Sequence, residues 1–204
     1  MTKQFIIAVT GKQGSGKSTF CNFLAKELNA DLYHLDIYSH KALQNEEVKK
    51  ILVSKFGSEI LKNGEIDRKI VGKIVFQNED KLKFLNALVY KYMLIAIKKD
   101  LENSKKIVIL DYALLPKTEF WIMADYKICI EADMQTRMER LSKRDNVSIE
   151  YLQSRENASL EYDYNVDKLI INNNKNNITK TAYETSKEIK ERLSKKNNNY
   201  NLQF

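Results

Sequence analysis

The chain has 204 residues, enough for one sizeable hydrophobic core with small appended lobes. Its hydrophobic content of 43% is ordinary for a globular protein, and its apolar runs are far too short to cross a bilayer. The net charge of +7 comes from lysines interleaved with acids, which argues against a nucleic-acid partner. Without a signal-peptide pattern, and with Cys21 and Cys129 expected in the core, the sequence predicts a reduced, cytoplasmic protein.

Five short, apolar and β-branched segments predict the buried strands of a sheet. Helical patterns separate them, so the sheet should be parallel and the fold class α/β. The predicted strands are Phe5–Val9, Leu32–Leu35, Ile107–Leu110, Tyr126–Ile130 and Lys168–Ile171.

The first strand is followed by G-K-Q-G-S-G-K-S at 11–18, which fits the phosphate-binding pattern G-x-x-x-x-G-K-[ST]. Its glycines let backbone N–H groups turn inward toward phosphate oxygens, and a helix over Lys17–Leu28 adds its positive dipole end. The Lys17 ammonium reaches the β- and γ-phosphates, and the Ser18 hydroxyl ligates Mg²⁺. We assign triphosphate binding to Gly11, Gln13, Gly14, Ser15, Gly16, Lys17, Ser18 and Thr19.

A long interval between the second and third strands looks helical throughout, and an insertion of this size commonly holds a second substrate. The pattern predicts a helix over Lys41–Phe56, a helix over Arg68–Phe76 capped by Asp67, and a longer helix capped by Asn78. The residues predicted to be buried on that longer helix are Leu82, Leu85, Val89, Tyr92 and Ala96.

A second insertion, from about Gln135 to Tyr164, is charged, helical and rich in arginine, as a lid over a nucleotide would be. After it, the last segment predicts one amphipathic helix through Tyr183, Ile189 and Leu193, followed by a disordered end.

Asp36 follows the second predicted strand at the carboxyl edge of the sheet, where open α/β sheets bind ligands. A carboxylate there accepts the proton of an attacking hydroxyl, helps to hold Mg²⁺, or does both. An N-cap for a helix starting at Ile37 is the alternative, and the roles are compatible. Asp111 ends the third strand and is a Walker-B-like candidate, with a turn-forming aspartate as the alternative. The candidate metal ligands are thus Ser18, Asp36 and Asp111.

Three arginines recur at spacings of three and four, so a helix would place Arg137, Arg140 and Arg144 along one side. Arginines presented in this way bind a transferring phosphate and neutralise transition-state charge. The alternative is a solvated face paired with Glu139 and Asp145. We predict catalytic roles for Arg140 and Arg144 and a surface position for Arg137.

The order of these parts resembles the dephospho-CoA kinase family over most of the chain. The most family-specific stretch is F-G-S-E-I-L at 56–61 followed by I-D-R-K-I-V-G-K-I-V-F at 66–76. The other matching segments are V-T-G-K-Q-G-S-G-K-S-T at 9–19, L-D-I-Y-S-H at 35–40, K-L-K-F-L-N at 81–86, L-D-Y-A-L-L at 110–115, E-R-L-S-K-R-D at 139–145 and D-K-L-I-I-N at 167–172.

The resemblance implies a three-layer P-loop kinase core with a five-stranded parallel sheet, a helical CoA-binding lobe and a helical lid. The implied division is 1–36, 105–134 and 165–204 for the core, 37–104 for the acceptor lobe and 135–164 for the lid. The implied reaction uses ATP and Mg²⁺ to phosphorylate the ribose 3′-hydroxyl of dephospho-CoA, in a monomer or weak homo-oligomer.

The resemblance also assigns roles to individual residues. Asp36 matches the family's proposed catalytic base, Arg140 and Arg144 match lid arginines, and Asn172 falls in the loop near the adenine. With Lys17 of the phosphate-binding pattern, these residues complete the predicted catalytic and nucleotide-binding set.

Several positions depart from the family pattern, and most concern the acceptor side. They are His34, Val89, Tyr90, Ala113 and Lys117, together with a lid glutamine that is not recognisable near residue 155. A nucleoside or nucleotide kinase on the same core and a non-catalytic nucleotide-binding protein are therefore the alternative functions.

Overall fold

The computed structural model describes residues 4–145, 165–173 and 177–201. The chain forms two compact units, residues 1–33 with 104–204 (the sheet unit) and residues 34–103 (the helical unit). Residues 146–164 of the lid predicted over 135–164, including the position of the missing glutamine, lie outside the described residues, as does the tail after residue 201.

In chain order the strands are β1 (Phe5–Thr10), β2 (Asp31–His34), β3 (Leu61–Lys62), β4 (Glu65–Ile66), β5 (Ile107–Asp111), β6 (Tyr126–Glu131) and β7 (Lys168–Ile171). The five predicted strands form one parallel sheet in the order β2-β5-β1-β6-β7, and a separate hairpin, β3–β4, lies in the helical unit. At the centre, β1 pairs Ile7 with Ile109 on one side and with Tyr126 on the other. The second strand was predicted one residue too late, because Leu35 begins a helix.

The helices of the described residues are α1 (Lys17–Leu28), α2 (Leu35–Leu43), α3 (Glu46–Phe56), α4 (Arg68–Val75), α5 (Glu79–Leu101), α6 (Glu119–Met123), α7 (Met134–Asp145) and α8 (Ile178–Asn201). Within the described ranges, none of them is both long and apolar enough to span a membrane.

The core of the sheet unit lies where α1 and α8 meet the sheet. Alternate residues of β1 point to this side, because side chains in a strand alternate between faces. From the helices, Phe20 and Leu24 of α1 and Ile189 of α8 are fully buried against them. Tyr183, predicted on the apolar side of α8, is instead 47% exposed. This packing fixes the start of α1 next to the carboxyl end of β1.

In the helical unit, the predicted helix over 41–56 is divided in two. α2 ends at Leu43, and Asn45 caps α3 by accepting hydrogen bonds from the backbone N–H groups of Glu47 and Val48. The caps predicted from sequence at Asp67 and Asn78 are confirmed, since both side chains accept from backbone N–H groups at the starts of α4 and α5.

The buried face of α5 differs from the prediction. Its buried residues are Met93, Ile97 and Leu101, whereas Ala96 is exposed. The N-terminal half packs partly buried side chains on the cluster formed by α3 and α4. Farther along, the Ser39 hydroxyl of α2 donates to the Met93 sulfur. Because the helix meets different neighbours along its length, its buried stripe changes direction.

Candidate active site

The loop between β1 and α1 (residues 11–18, the phosphate loop) has a backbone suited to an anion. Gly14, at φ 79°, and Gly16, at φ 93°, adopt left-handed conformations that favour glycine. Gly16 is the N-cap of α1, and in the described chain neither a capping side chain nor an acidic residue occupies this helix start. A helix start of this kind presents its first amides and the positive end of its dipole, which suit phosphate oxygens.

Lys17 and Ser18 begin α1, as the sequence pattern requires. The Lys17 ammonium donates to the Lys12 carbonyl at 3.1 Å and so lies across the loop, although its side chain is largely buried. Ser18 Oγ donates to Asp111 Oδ2 at 2.8 Å. The pairing of Val9 with Asp111 explains this contact, because adjacent parallel strands bring the end of β5 beside the loop.

The oxygen atoms of Ser18 and Asp111 fit Mg²⁺, which proteins commonly bind through one or two carboxylates together with substrate phosphates. Asp111 is 4% exposed, so its carboxylate is held in place by its surroundings. A complete cage is not formed by protein groups, since the described residues contain no cluster of three His, Cys, Asp or Glu side chains suited to a metal.

The other predicted loop residues contribute mainly through the backbone. Gln13 and Thr19 have exposed side chains, and Ser15 is fully buried. Within the described ranges, Ser15 Oγ has no hydrogen-bond partner. Its carbonyl oxygen, in contrast, accepts a hydrogen bond of 2.7 Å from Asn172 Nδ2, and Asn172 is itself buried. The structure thus places the Asn172 amide against the phosphate loop.

Helix α7 lies against the same loop. Asp133 caps it by accepting from Thr136 N at 2.7 Å, and these hydrogen bonds hold the pKa of the Asp133 carboxyl below its usual value. Sequence reasoning missed this cap, although an aspartate three residues before Thr136 was the available signal. Farther along α7, Arg140 Nη1 donates to the Gly14 carbonyl at 3.2 Å, which brings this predicted catalytic arginine to the loop.

The surface position predicted for Arg137 is wrong. Its side chain is 4% exposed and donates to the Ala132 carbonyl at 3.2 Å and, through a long hydrogen bond of 3.4 Å, to the Gln13 carbonyl. Arg144, in contrast, is exposed and pairs with Asp145, with Nε and Oδ1 2.7 Å apart. The three arginines therefore do not share one environment, because α7 turns only its first half toward the loop.

Asp36 lies in the helical unit, on the first turn of α2. It is exposed and is not an N-cap, because the helix begins at Leu35 with His34 at the cap position. The residue one turn later, His40, has its pKa lowered by partial loss of water and by the Arg68 guanidinium, whereas Asp36 acts in the opposite sense. The three side chains form a mixed-charge group on this unit.

Both cysteines are buried free thiols, as predicted. Burial raises the pKa of Cys21 well above its ordinary value, and Asp111 adds to the effect. Burial also raises the pKa of Cys129 to about 12. Neither thiol is a nucleophile at neutral pH, since nucleophilic attack needs the thiolate.

The fold and this site define the class of protein. The features of a P-loop kinase are a five-stranded parallel sheet, a G-x-x-x-x-G-K-S loop after its central strand, and arginines of a later basic helix, here α7, in contact with that loop.

Comparison with known proteins identifies the family. Residues 5–179 match the family model described as dephospho-CoA kinase. A dephospho-CoA kinase of Prochlorococcus marinus is 35% identical over 72% of this chain and 73% of its own. One of Fusobacterium nucleatum is 33% identical over 84% of this chain and 90% of its own. A solved dephospho-CoA kinase from Campylobacter jejuni has a TM-score of 0.58 and 26% identity, covering 94% of this chain and 98% of its own. The chain belongs to the dephospho-CoA kinase family, and the resemblance and fold class predicted from sequence are confirmed.

Proposed function

We propose that the protein transfers the γ-phosphoryl group of ATP to the ribose 3′-hydroxyl of dephospho-CoA, giving CoA and ADP. The observation that carries this proposal is the 2.8 Å contact of Ser18 with Asp111 beside Lys17, in a chain of this family. A carboxylate held next to the serine hydroxyl fits the Mg²⁺ that accompanies ATP in phosphoryl transfer, and membership of the family supports dephospho-CoA as the acceptor.

On the donor side, the backbone amides of the phosphate loop bind the triphosphate. The Lys17 ammonium exchanges the Lys12 carbonyl for phosphate oxygens, which also favour a cation. Ser18 and Asp111 hold Mg²⁺, which supplies charge neutralisation when bound. Arg140 exchanges the Gly14 carbonyl for the transferring phosphoryl group. Arg144, farther along the same helix, exchanges Asp145 for a phosphate oxygen when it takes part.

On the acceptor side, Asp36 accepts the proton of the attacking 3′-hydroxyl as the new oxygen–phosphorus bond forms. Its exposure supports this role, because a general base must reach the substrate. His40 and Arg68, its neighbours on the helical unit, lie where they can contact an anionic acceptor. Asn172 supports the nucleotide from the loop after β7.

Other features of the proposal concern the setting of the reaction. The enzyme acts as a monomer or weak homo-oligomer in the cytoplasm, where the buried thiols stay reduced. Its positive charge serves polyphosphate substrates rather than nucleic acid, because the lysines form no block along the chain.

The substrate is tested by an ADP-release assay with purified protein, ATP and Mg²⁺. We expect turnover with dephospho-CoA and none with nucleosides or nucleotides as acceptors. Turnover with a nucleoside or nucleotide, and none with dephospho-CoA, would replace the proposed acceptor. Nucleotide binding without turnover on any acceptor would instead establish a non-catalytic protein.

The role of Asp36 is tested by Asp36→Asn. We expect kcat to fall by about 100-fold or more, because general-base catalysis contributes that much, while ATP affinity stays near the wild-type value. Asp80→Asn is the matched control, since Asp80 is an exposed acid in the first turn of α5 in the same unit. If the two variants have equal kcat, Asp36 is not the base.

A further inference from the structure

The outer side of the phosphate loop is held by side chains. When loop N–H groups turn inward to phosphate, the carbonyl groups between them turn outward and need donors of their own. Three consecutive carbonyls have such donors: Gln13 O accepts from Arg137, Gly14 O from Arg140, and Ser15 O from Asn172. The loop conformation is therefore supported from behind by α7 and by the residue after β7.

Arg137 differs from Arg140 in its burial. It is 4% exposed, whereas Arg140 retains partial access to solvent. Its Nε also donates to the Ala132 carbonyl, which ties the guanidinium to the segment just before α7. A group fixed at both ends and enclosed by protein does not leave the loop to follow a reacting phosphate.

The backbone of α7 adds a second contact at the same place. A Cβ atom at Gly14 would lie 2.8 Å from the Arg137 carbonyl oxygen, so the helix packs directly on this glycine. The left-handed φ of Gly14 independently favours glycine here. Arg137 thus sits where the helix and the loop meet, with its charge close to the anion that the loop binds.

We propose that Arg137 is a positioning residue that holds the phosphate loop in its nucleotide-binding form and supplies a fixed positive charge behind it. This inference rests on the proposed function, because it assumes that the loop binds ATP. Arg137 acts on nucleotide binding through the Gln13 carbonyl and does not contact the transferring phosphoryl group. Arg140, with its more accessible guanidinium, keeps the catalytic role.

The test is Arg137→Met, which keeps an unbranched apolar side chain and removes both donors and the charge. We expect ADP affinity, measured by calorimetry, to weaken by about tenfold, the usual size of a lost charge-assisted hydrogen bond. The KM for ATP should rise in parallel, while kcat and the KM for dephospho-CoA stay within about twofold. Arg137→Lys should recover part of the affinity, because it restores the charge and a donor.

Lys143→Met is the matched control, since Lys143 is an exposed cation on the same helix, and we expect its ADP affinity to be unchanged. Unchanged ADP affinity in Arg137→Met, or a fall in kcat with KM unchanged, would overturn the inference. Urea unfolding of each variant separates lost binding from lost folding. If Arg137→Met does not fold, the ADP affinity of Arg137→Lys is compared with that of the wild type instead. If the wild-type protein itself binds no ADP, the proposed function fails instead.

Discussion

At the scale of single residues, the protonation of His40 depends on two opposing neighbours. Its pKa lies below the ordinary value of 6.5 because the ring has lost some water and because the Arg68 guanidinium repels a proton. The Asp36 carboxylate works against both effects. His40 is consequently neutral at pH 7. No imidazolium at this position therefore neutralises the carboxylate charge of Asp36, the proposed base.

The titration of His40 can be followed by NMR of the imidazole protons, which is practical because the chain has only two histidines. We expect its midpoint to rise in Arg68→Gln and to fall further in Asp36→Asn. Because the lowered pKa means that the unfolded chain binds more protons, His40 contributes stability that is present above about pH 6.5 and lost as the pH falls through the folded value. Equal midpoints in wild type and Arg68→Gln would contradict this account.

At the scale of elements, Asn45 separates two helices that the apolar pattern had joined. Its side-chain oxygen is 2.9 Å from Glu47 N and 3.3 Å from Val48 N, so it satisfies two donors at the start of α3. The preceding helix ends at Leu43, and the chain then turns. A short polar residue that competes for backbone donors is what divides the helix here.

We predict that Asn45→Ala lowers the free energy of unfolding by about 1 kcal/mol, the usual cost of losing an N-cap. Urea denaturation followed by circular dichroism measures it. Asn86→Ala is the control, because Asn86 is exposed in the interior of α5, where alanine favours the helix. A loss of stability in Asn86→Ala equal to that in Asn45→Ala would show that the cap is not the cause.

How far the sequence predicts an element depends on whether its determinants are local. The caps at Asp67 and Asn78 and the positions of the strands follow from neighbouring residues, and they are confirmed. The predicted burial is wrong for the two outer strands, because β2 is only half-buried and β7 buries Ile170 alone. The buried side of α5 does not, because apolar residues occur all around this helix and only its neighbours select Met93 and Ile97. The surface position predicted for Arg137 is wrong for the same reason, since the burial of this side chain depends on where α7 meets the phosphate loop.

At the scale of the whole molecule, each unit has its own core. In the sheet unit, the apolar residues of β1, β5 and β6 pack with those of α1 and α8. In the helical unit, α3, α4 and the turn at Ser58–Ile60 bury a separate cluster, with α5 packed on it. The phosphate loop depends on the first of these cores and Asp36 lies on the second unit, so the proposed donor and acceptor functions should respond to different core mutations.

Leu52→Ala tests this separation, because Leu52 is fully buried in the core of the helical unit. The substitution should cost about 2–5 kcal/mol through lost burial and the cavity left behind. Hydrogen–deuterium exchange should then quicken in α3 and α4 while β1 and β6 keep their protection, because local opening follows the affected core. The KM for dephospho-CoA should rise with ADP affinity unchanged. Ile95→Ala changes a side chain that is 60% exposed, so it should alter neither the exchange rates nor the KM for dephospho-CoA. Equal loss of protection in α3 and in β1 would mean that the two cores unfold as one cooperative body, and the acceptor side could not then be weakened alone.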